Sequence, residues 1–286
     1  MILFPNAKIN LGLNVVRRRE DNYHELDMVM APVGWCDILE LTPSRDGQNR
    51  LITSGRPVDC PPEKNLVSKA RVLLNEAIGG TLPEVDIRLH KIIPDGAGLG
   101  GGSADAAFTL RGLNSLFGLG LSDERLAEIA LNVGADCPFF IYNRPMACRG
   151  IGEILCDTSL YMADGLGIVI AKPSTTCVST AEAYGGILPV KADESPADII
   201  AGDISGWSGR LVNDFERTIF VAHPEIGRLK EFFVRNGALY TSMSGSGAAV
   251  YAICQTRAEA DRLADRLATG DYFDVWSGDF PYLPTT

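Results

Sequence analysis

Histidine is scarce in this chain of 286 residues: His24, His90 and His223 are the only three, and they lie far apart. The seven cysteines (Cys36, Cys60, Cys137, Cys148, Cys156, Cys177 and Cys254) form no Cys-x-x-Cys pair and have no histidine cluster beside them. A zinc site needs its ligands at short, repeated spacings, and a disulfide frame reads as an even, patterned set; neither is indicated. Positive charge is also short, with 26 Lys and Arg against 36 Asp and Glu for a net of −10. A polyanion would meet an unfavourable field, which argues against a general nucleic-acid coat. The longest apolar stretches, 165–171 and 248–254, fall well below the roughly 20 residues that a membrane helix requires. The first residues carry no basic leader followed by an apolar core, so no signal peptide is read there and a cytoplasmic location is expected. There is no repeat of solenoid length and no low-complexity tail.

What is present suits a folded domain pair. Hydrophobic residues make up 46% and charged residues 22% of the chain, an ordinary composition for a protein with a proper core. The length gives a prior of roughly two domains. Residues 8–17 alternate polar and apolar side chains at period two, the pattern of a half-buried strand, with a turn at 18–22 and strand material again over 28–41. The stretch 45–60, broken by glycine and proline, reads as short antiparallel strands and loops. Residues 65–78 space their apolar positions helically behind Asn65 as an N-cap, and 85–90 alternate as a half-exposed strand. Helices are expected over about 103–116 and from Ser122 to near Gly134, followed by an apolar strand after Asp136. A polar join at 157–165 separates an N-terminal domain, 1–158, from a C-terminal one, 159–286. The second half reads as a strand at 167–171, a short helix at 181–184, and helices over 213–222, 224–236 and 257–268. Strands flank a turn at 244–247, and a last strand covers 272–276. The class is α+β with two lobes.

The strongest local signal is Pro94-Asp95-Gly96-Ala97-Gly98-Leu99-Gly100-Gly101-Gly102-Ser103, which leads into a helix. Glycines at this density let backbone N–H groups turn inward at a helix start, where the dipole also favours an anion, so a phosphate is the natural ligand. The spacing of Gly96, Gly98 and Gly101 also fits a dinucleotide fingerprint. The strand before it argues against that reading, because it carries Asp86, Arg88 and Lys91 where a doubly covered strand is apolar. No lysine completes a P-loop either. Ser103 fits an N-cap or a contact to phosphate or magnesium.

Three further groups have two readings each. Asp136 lies between a helix and an apolar run; a turn residue bonding its own backbone is the commoner use, and a general base for phosphoryl transfer is the other. Lys8 either reaches solvent along its strand or neutralises charge on a moving phosphoryl group. Tyr23-His24 is either a surface turn or a stacking and edge-reading pair for a base.

Taken together, Ala7-Lys8-Ile9-Asn10-Leu11 with Asp21-Asn22-Tyr23-His24-Glu25-Leu26, the 94–107 loop, and Ser244-Gly245-Ser246-Gly247-Ala248 resemble the GHMP kinase superfamily over essentially the whole chain. The Lys-x-Asn-Leu element joined to Tyr-His resembles the branch acting on a cytidine diphosphate sugar alcohol. The resemblance implies a cleft between an N-terminal lobe similar to ribosomal S5 domain 2 and a C-terminal ferredoxin-like lobe. It also implies an ATP-dependent small-molecule kinase using magnesium, as a monomer or weak homodimer without nucleic-acid or membrane partners. ATP phosphates would lie on Gly96, Ala97, Gly98, Leu99, Gly100, Gly101, Gly102 and Ser103, with Asn65 and Lys91 on the adenosine side and Ser103 as a candidate magnesium contact. Asp136 would take the proton of the substrate hydroxyl, with Lys8 bonded to it and stabilising charge, and Asn10 would orient the alcohol. Tyr23 and Tyr184 would flank the cytosine, His24 would bond its edge and Thr180 would line the pocket. Gly245 and Gly247 would let the C-terminal lobe come close to substrate phosphates, with Asn213 and Asp214 as the family's Asn-Asp pair beneath the site. A mevalonate-type or homoserine-type kinase would share the loop without needing the aromatic set; a noncatalytic nucleotide-binding relative would not need Lys8 and Asp136. Asn22 stands where glycine is usual, and Asp95 puts a negative charge beside the loop.

Overall fold

The computed structural model describes residues 1–58, 60–190, 192–270, 272–282 and 284. They cluster into two compact units: one of residues 1–7, 36–94 and 100–144, the other of 8–35, 95–99 and 145–286. The units are interleaved along the chain, whereas a single join near 158 was expected.

In the first unit, a sheet orders its strands Ile2–Leu3, Ile38–Pro43, Val85–Lys91 and Arg50–Gly55. Val85, Ile87 and Leu89 point into the core while Arg88 and His90 are exposed, as the alternation predicts. Arg50–Gly55 runs parallel to Val85–Lys91, with Leu51 opposite Ile87, instead of antiparallel as expected. The reason lies in the connection: a parallel neighbour needs a long crossover, and helix Leu66–Ala77 supplies it. Asn65 caps this helix, its side-chain oxygen accepting the Val67 N–H at 2.9 Å, and Val67, Ala70 and Leu74 form the buried face. Helix Gly101–Leu116 starts at Gly101, two residues before the predicted Ser103, behind Gly100 in a left-handed conformation. Helix Asp123–Val133 is capped by Ser122, whose hydroxyl accepts from the Arg125 N–H.

The apolar run after Asp136 is a helix, Cys137–Tyr142, not the expected strand. Six continuous apolar residues do not by themselves distinguish a buried strand from a buried helix. Pro138 in the first turn, where no N–H partner is needed, and Asn143 at φ +50 after the last turn settle it as a helix.

The second unit holds two sheets. One orders Asn6–Arg18, whose first two residues belong to the other unit, then His24–Cys36, Met146–Gly150 and Ile154–Asp157. The other is antiparallel, in the order Tyr240–Met243, Val250–Cys254, Leu166–Pro173 and Phe273–Phe280. Helix Pro224–Arg235 buries Ile226, Leu229 and Phe233, and Arg257–Leu267 buries Ala260, Leu263 and Leu267. Each fully buried large apolar side chain contributes about 1.5–3 kcal/mol relative to exposure. The last strand runs on to Phe280, past the predicted end at Trp276.

Strand Asn6–Arg18 departs most from expectation. It is buried without interruption from Asn6 to Val15, although its polar residues suggested a solvent face. Asn6, Lys8, Asn10 and Asn14 are all 4% exposed or less. Buried amides and charges require partners, and an array of them along one strand marks a site.

Candidate functional site

The glycine segment is held by its carbonyls. Gly96 O accepts the Ala248 N–H at 3.2 Å, Ala97 O the Ala249 N–H at 3.1 Å, Leu99 O the Lys8 N–H at 2.9 Å and Gly100 O the Ala104 N–H at 2.9 Å. Gly98 O accepts the Ser244 hydroxyl at 2.9 Å. With its carbonyls engaged, the segment winds through Gly96, Gly98 and Gly100 at positive φ into the N-terminus of helix Gly101–Leu116. That is the composition of an anion cradle. Gly98 and Gly247 back onto one another with no room for a side chain on either. Asp95 is exposed.

Behind this turn, Asn213 donates both to Met243 O at 2.9 Å and to Gly245 O at 2.8 Å. Asp214 accepts the Val15 N–H at 2.8 Å and pairs with Arg217 at 3.0 Å. The expected Asn-Asp pair is therefore present as a buried brace: one residue fixes the Ser244 turn, the next fixes the strand that carries Lys8. On that strand the Lys8 ammonium donates to Asn10 Oδ1 at 2.6 Å, and Asn10 Nδ2 points to the Met28 sulfur at 3.1 Å. The Tyr251 hydroxyl donates to the Asn10 carbonyl at 2.9 Å. A buried phenol normally finds such a partner.

The aromatic set is assembled in the same unit. His24 stacks on Tyr184 with ring centres 4.7 Å apart, and Tyr184 meets Phe215 edge-on at 4.8 Å. Tyr23 is 59% exposed, following a turn in which Asn22 takes φ +67, the left-handed conformation that asparagine tolerates. Thr180 begins helix Thr180–Gly185 and is exposed. His24 thus covers one face of Tyr184. Burial, and then the nearby Arg18 charge, hold the His24 imidazole below the usual range and favour its neutral form.

In the first unit, Asp136 is half-buried at φ −82°, ψ −13°, immediately before helix Cys137–Tyr142, and makes no capping bond to it. The neighbouring Cys137 thiol is hydrogen-bonded with Ser103, on the first turn of helix Gly101–Leu116. Burial pushes that thiol up to about 12; the Ser103 bond opposes the shift and the Asp136 charge adds to it. Ser103 and Asp136 are therefore brought to the same side of this unit. Asn65, expected near adenosine, has its oxygen engaged as a helix cap.

Lys91, also expected there, is 4% exposed, and its ammonium is paired with Asp37 and, at 2.7 Å, with Asp105. Sequence reasoning missed both acids, as well as Ser244 and Tyr251 as supports. One signal existed: Asp105 is a charge set among alanines on an otherwise apolar helix face, and such a residue needs a buried partner. Among the described residues, no group of three or more His, Cys, Asp or Glu side chains could hold a metal ion. No helix among them is long and apolar enough to cross a membrane.

Two family comparisons match the chain: "GHMP kinases N terminal domain" over residues 65–144 and "GHMP kinases C terminal" over 199–271. A 4-diphosphocytidyl-2-C-methyl-D-erythritol kinase of Porphyromonas gingivalis is 43% identical, covering 92% of this chain and 96% of that protein. The protein of the same name in Bacteroides fragilis is 46% identical, over 88% and 92%. A crystal structure of a 4-(cytidine 5'-diphospho)-2C-methyl-D-erythritol kinase superposes with a TM-score of 0.83 at 32% identity, covering 98% of each chain. Mevalonate kinase from Methanococcus jannaschii gives a TM-score of 0.73 at 12% identity, over 98% and 97%, and shares the fold alone.

Proposed function

The chain belongs to the 4-diphosphocytidyl-2-C-methyl-D-erythritol kinases within the GHMP kinase family, and on that footing we propose that it transfers the γ-phosphoryl group of ATP to the C2 hydroxyl of 4-diphosphocytidyl-2-C-methyl-D-erythritol. The observation that supports this best is the glycine segment, whose carbonyls are engaged from Gly96 to Gly100 and which leads into the N-terminus of helix Gly101–Leu116, where the first N–H groups have no intrahelical partner. In this reading Gly96 to Ser103 hold the ATP phosphates, aided by the N-terminal dipole of helix Gly101–Leu116. Asp136 accepts the hydroxyl proton as the oxygen–phosphorus bond forms, and the bond from the γ-phosphorus to ADP breaks. The Lys8 ammonium stabilises the charge that develops, and Asn10 orients the alcohol. Magnesium bound with the ATP phosphates would be met by the Ser103 hydroxyl on the first turn of helix Gly101–Leu116, and it would neutralise phosphate charge.

The cytidyl end is read by Tyr23, His24, Thr180 and Tyr184. A neutral His24 can both donate to and accept from the edge of a cytosine, which suits a base better than an imidazolium would. Asn65 lies toward the adenosine. The two family matches fall on either side of residue 158, which supports 1–158 and 159–286 as the sequential halves of the kinase. The reading includes a cytoplasmic enzyme, where ATP is supplied.

The test is an ADP-release assay with purified protein, ATP and magnesium, comparing the cytidyl alcohol with mevalonate and homoserine. Release with the cytidyl compound alone is expected. Release with another alcohol keeps the kinase and overturns the aromatic pocket, and silence with all three overturns catalysis.

A further inference from the structure

The glycine segment must place its N–H groups at a fixed spacing, yet its residues carry almost no side chains that could hold that spacing. The structure supplies the hold from below. Immediately upstream, the N–H groups of Ile92 and Ile93 both donate to Asp37 Oδ1, the Ile93 bond at 2.9 Å. Downstream, Asp105 is the fifth residue of helix Gly101–Leu116. The Lys91 ammonium donates to Asp37 Oδ2 and to Asp105 Oδ2, the latter at 2.7 Å, and so ties one end of the segment to the other. All three side chains are at most 4% exposed.

The two ends meet closely at this point. A β-carbon on Gly101 would lie 3.0 Å from Ile93 Cγ2 and 3.3 Å from Lys91 Nζ. The upstream end is also gripped from its other side, where Arg56 donates to Lys91 O at 2.9 Å and to Ile92 O at 2.7 Å.

A buried ammonium between two acid side chains is a poor way to gain stability, because taking charge out of water offsets most of the attraction gained. An apolar trio of similar volume would hold the fold about as well. What the ionic arrangement adds is direction: an ammonium has a fixed reach, and each carboxylate here is bound to one end of the segment.

We propose that Lys91 is a positioning residue: with Asp37 and Asp105 it staples the two ends of the glycine segment and so sets the spacing at which the segment meets the phosphates of ATP. Its ammonium acts through the backbone and does not touch the nucleotide. The inference rests on the ATP reading of the segment, so its test measures ATP binding separately from turnover.

The variant Asp105→Ala removes one arm of the staple and leaves Lys91 paired with Asp37. Asp105→Asn keeps an oxygen within reach of the ammonium. Calorimetric titration with a nonhydrolysable ATP analogue should show affinity for D105A about tenfold weaker than wild type, and affinity for D105N restored to within about threefold. The KM for the alcohol substrate should move less than about threefold in either. ATP binding by a folded D105A equal to wild type overturns the staple. So does tighter binding, the result expected if Lys91, once freed from Asp105, contacts the nucleotide itself. If D105A does not fold, Asp105→Ser, which offers a shorter acceptor, carries the same comparison and should fall between wild type and a tenfold loss. A wild-type protein that binds no ATP overturns the functional reading and this inference with it, whereas normal wild-type binding with unaffected variants overturns the inference alone.

Discussion

A β-carbon on Gly247 would lie 2.0 Å from the Gly98 amide nitrogen, and one on Gly98 would lie 1.9 Å from the Ser244 carbonyl oxygen. Both are backbone contacts, so no side chain can swing aside to make room. Gly247→Ala should therefore force the two turns apart, at about 1–3 kcal/mol for the overpacking. It should also weaken ATP binding, because the same displacement breaks the bonds from Ala248 and Ala249 to Gly96 and Ala97. Urea unfolding and ATP titration together check this. A variant that loses stability but binds ATP normally would show that the docked turn supports the fold and not the phosphate cradle.

Asp136 stands half-buried immediately before helix Cys137–Tyr142 and makes no capping bond to it. Asp136→Asn keeps the shape and removes the basicity. Turnover should drop by about 100-fold to 10,000-fold, the range typical of a general base, while ATP affinity stays near wild type. Single-turnover rates with saturating ATP separate the two effects, and near-normal turnover would sink the assignment.

Much of this was legible in the sequence, for a reason that also marks its limit. Local rules found the Asn65 and Ser122 caps, the alternating Val85–Lys91 strand and the glycine segment, because each depends on neighbours a few residues away. They failed where distant packing decides. The 8–17 alternation says that one side of the strand is polar, but not that the polar side is buried; only the folded chain places Asp214, Tyr251 and Leu99 around it. The run after Asp136 lacked a periodicity that could separate strand from helix. The Lys91 staple joins residues 37, 91 and 105, and no spacing rule links them. For the same reason Gly247 was legible as a required glycine but not for its partner.

Tyr23 is exposed, while one face of Tyr184 is taken by His24. Tyr23 is therefore the ring of the set most open to a cytosine. Loss of a stacking ring typically costs about 1–3 kcal/mol, or roughly fivefold to 150-fold in binding. Tyr23→Ala should raise the KM for the cytidyl alcohol within that range and leave ATP affinity unchanged. Steady-state kinetics with each substrate varied in turn provide the check. Equal losses for both substrates would contradict stacking on this ring.

Asp105 is held protonated up to about pH 8, chiefly because burial outweighs the pull of Lys91, and the Asp37 charge adds to the shift. In the unfolded chain an aspartate gives up its proton near pH 3.9. Between these limits the folded state binds more protons than the unfolded one, so this residue makes stability fall as pH rises from about 4 to about 8. Lys91 is shifted upward, so its own contribution is complete below the ordinary lysine range and is lost only as pH rises through that higher value. Asparagine cannot titrate. Urea unfolding at about pH 5 and about pH 8.5 should show wild type losing more stability across the interval than D105N, with the two converging toward the acid end. The pair shares every other titrating group, so the difference between them isolates Asp105. Parallel pH profiles would mean that Asp105 is already ionised at pH 5 in the folded chain and that its burial does not hold the proton.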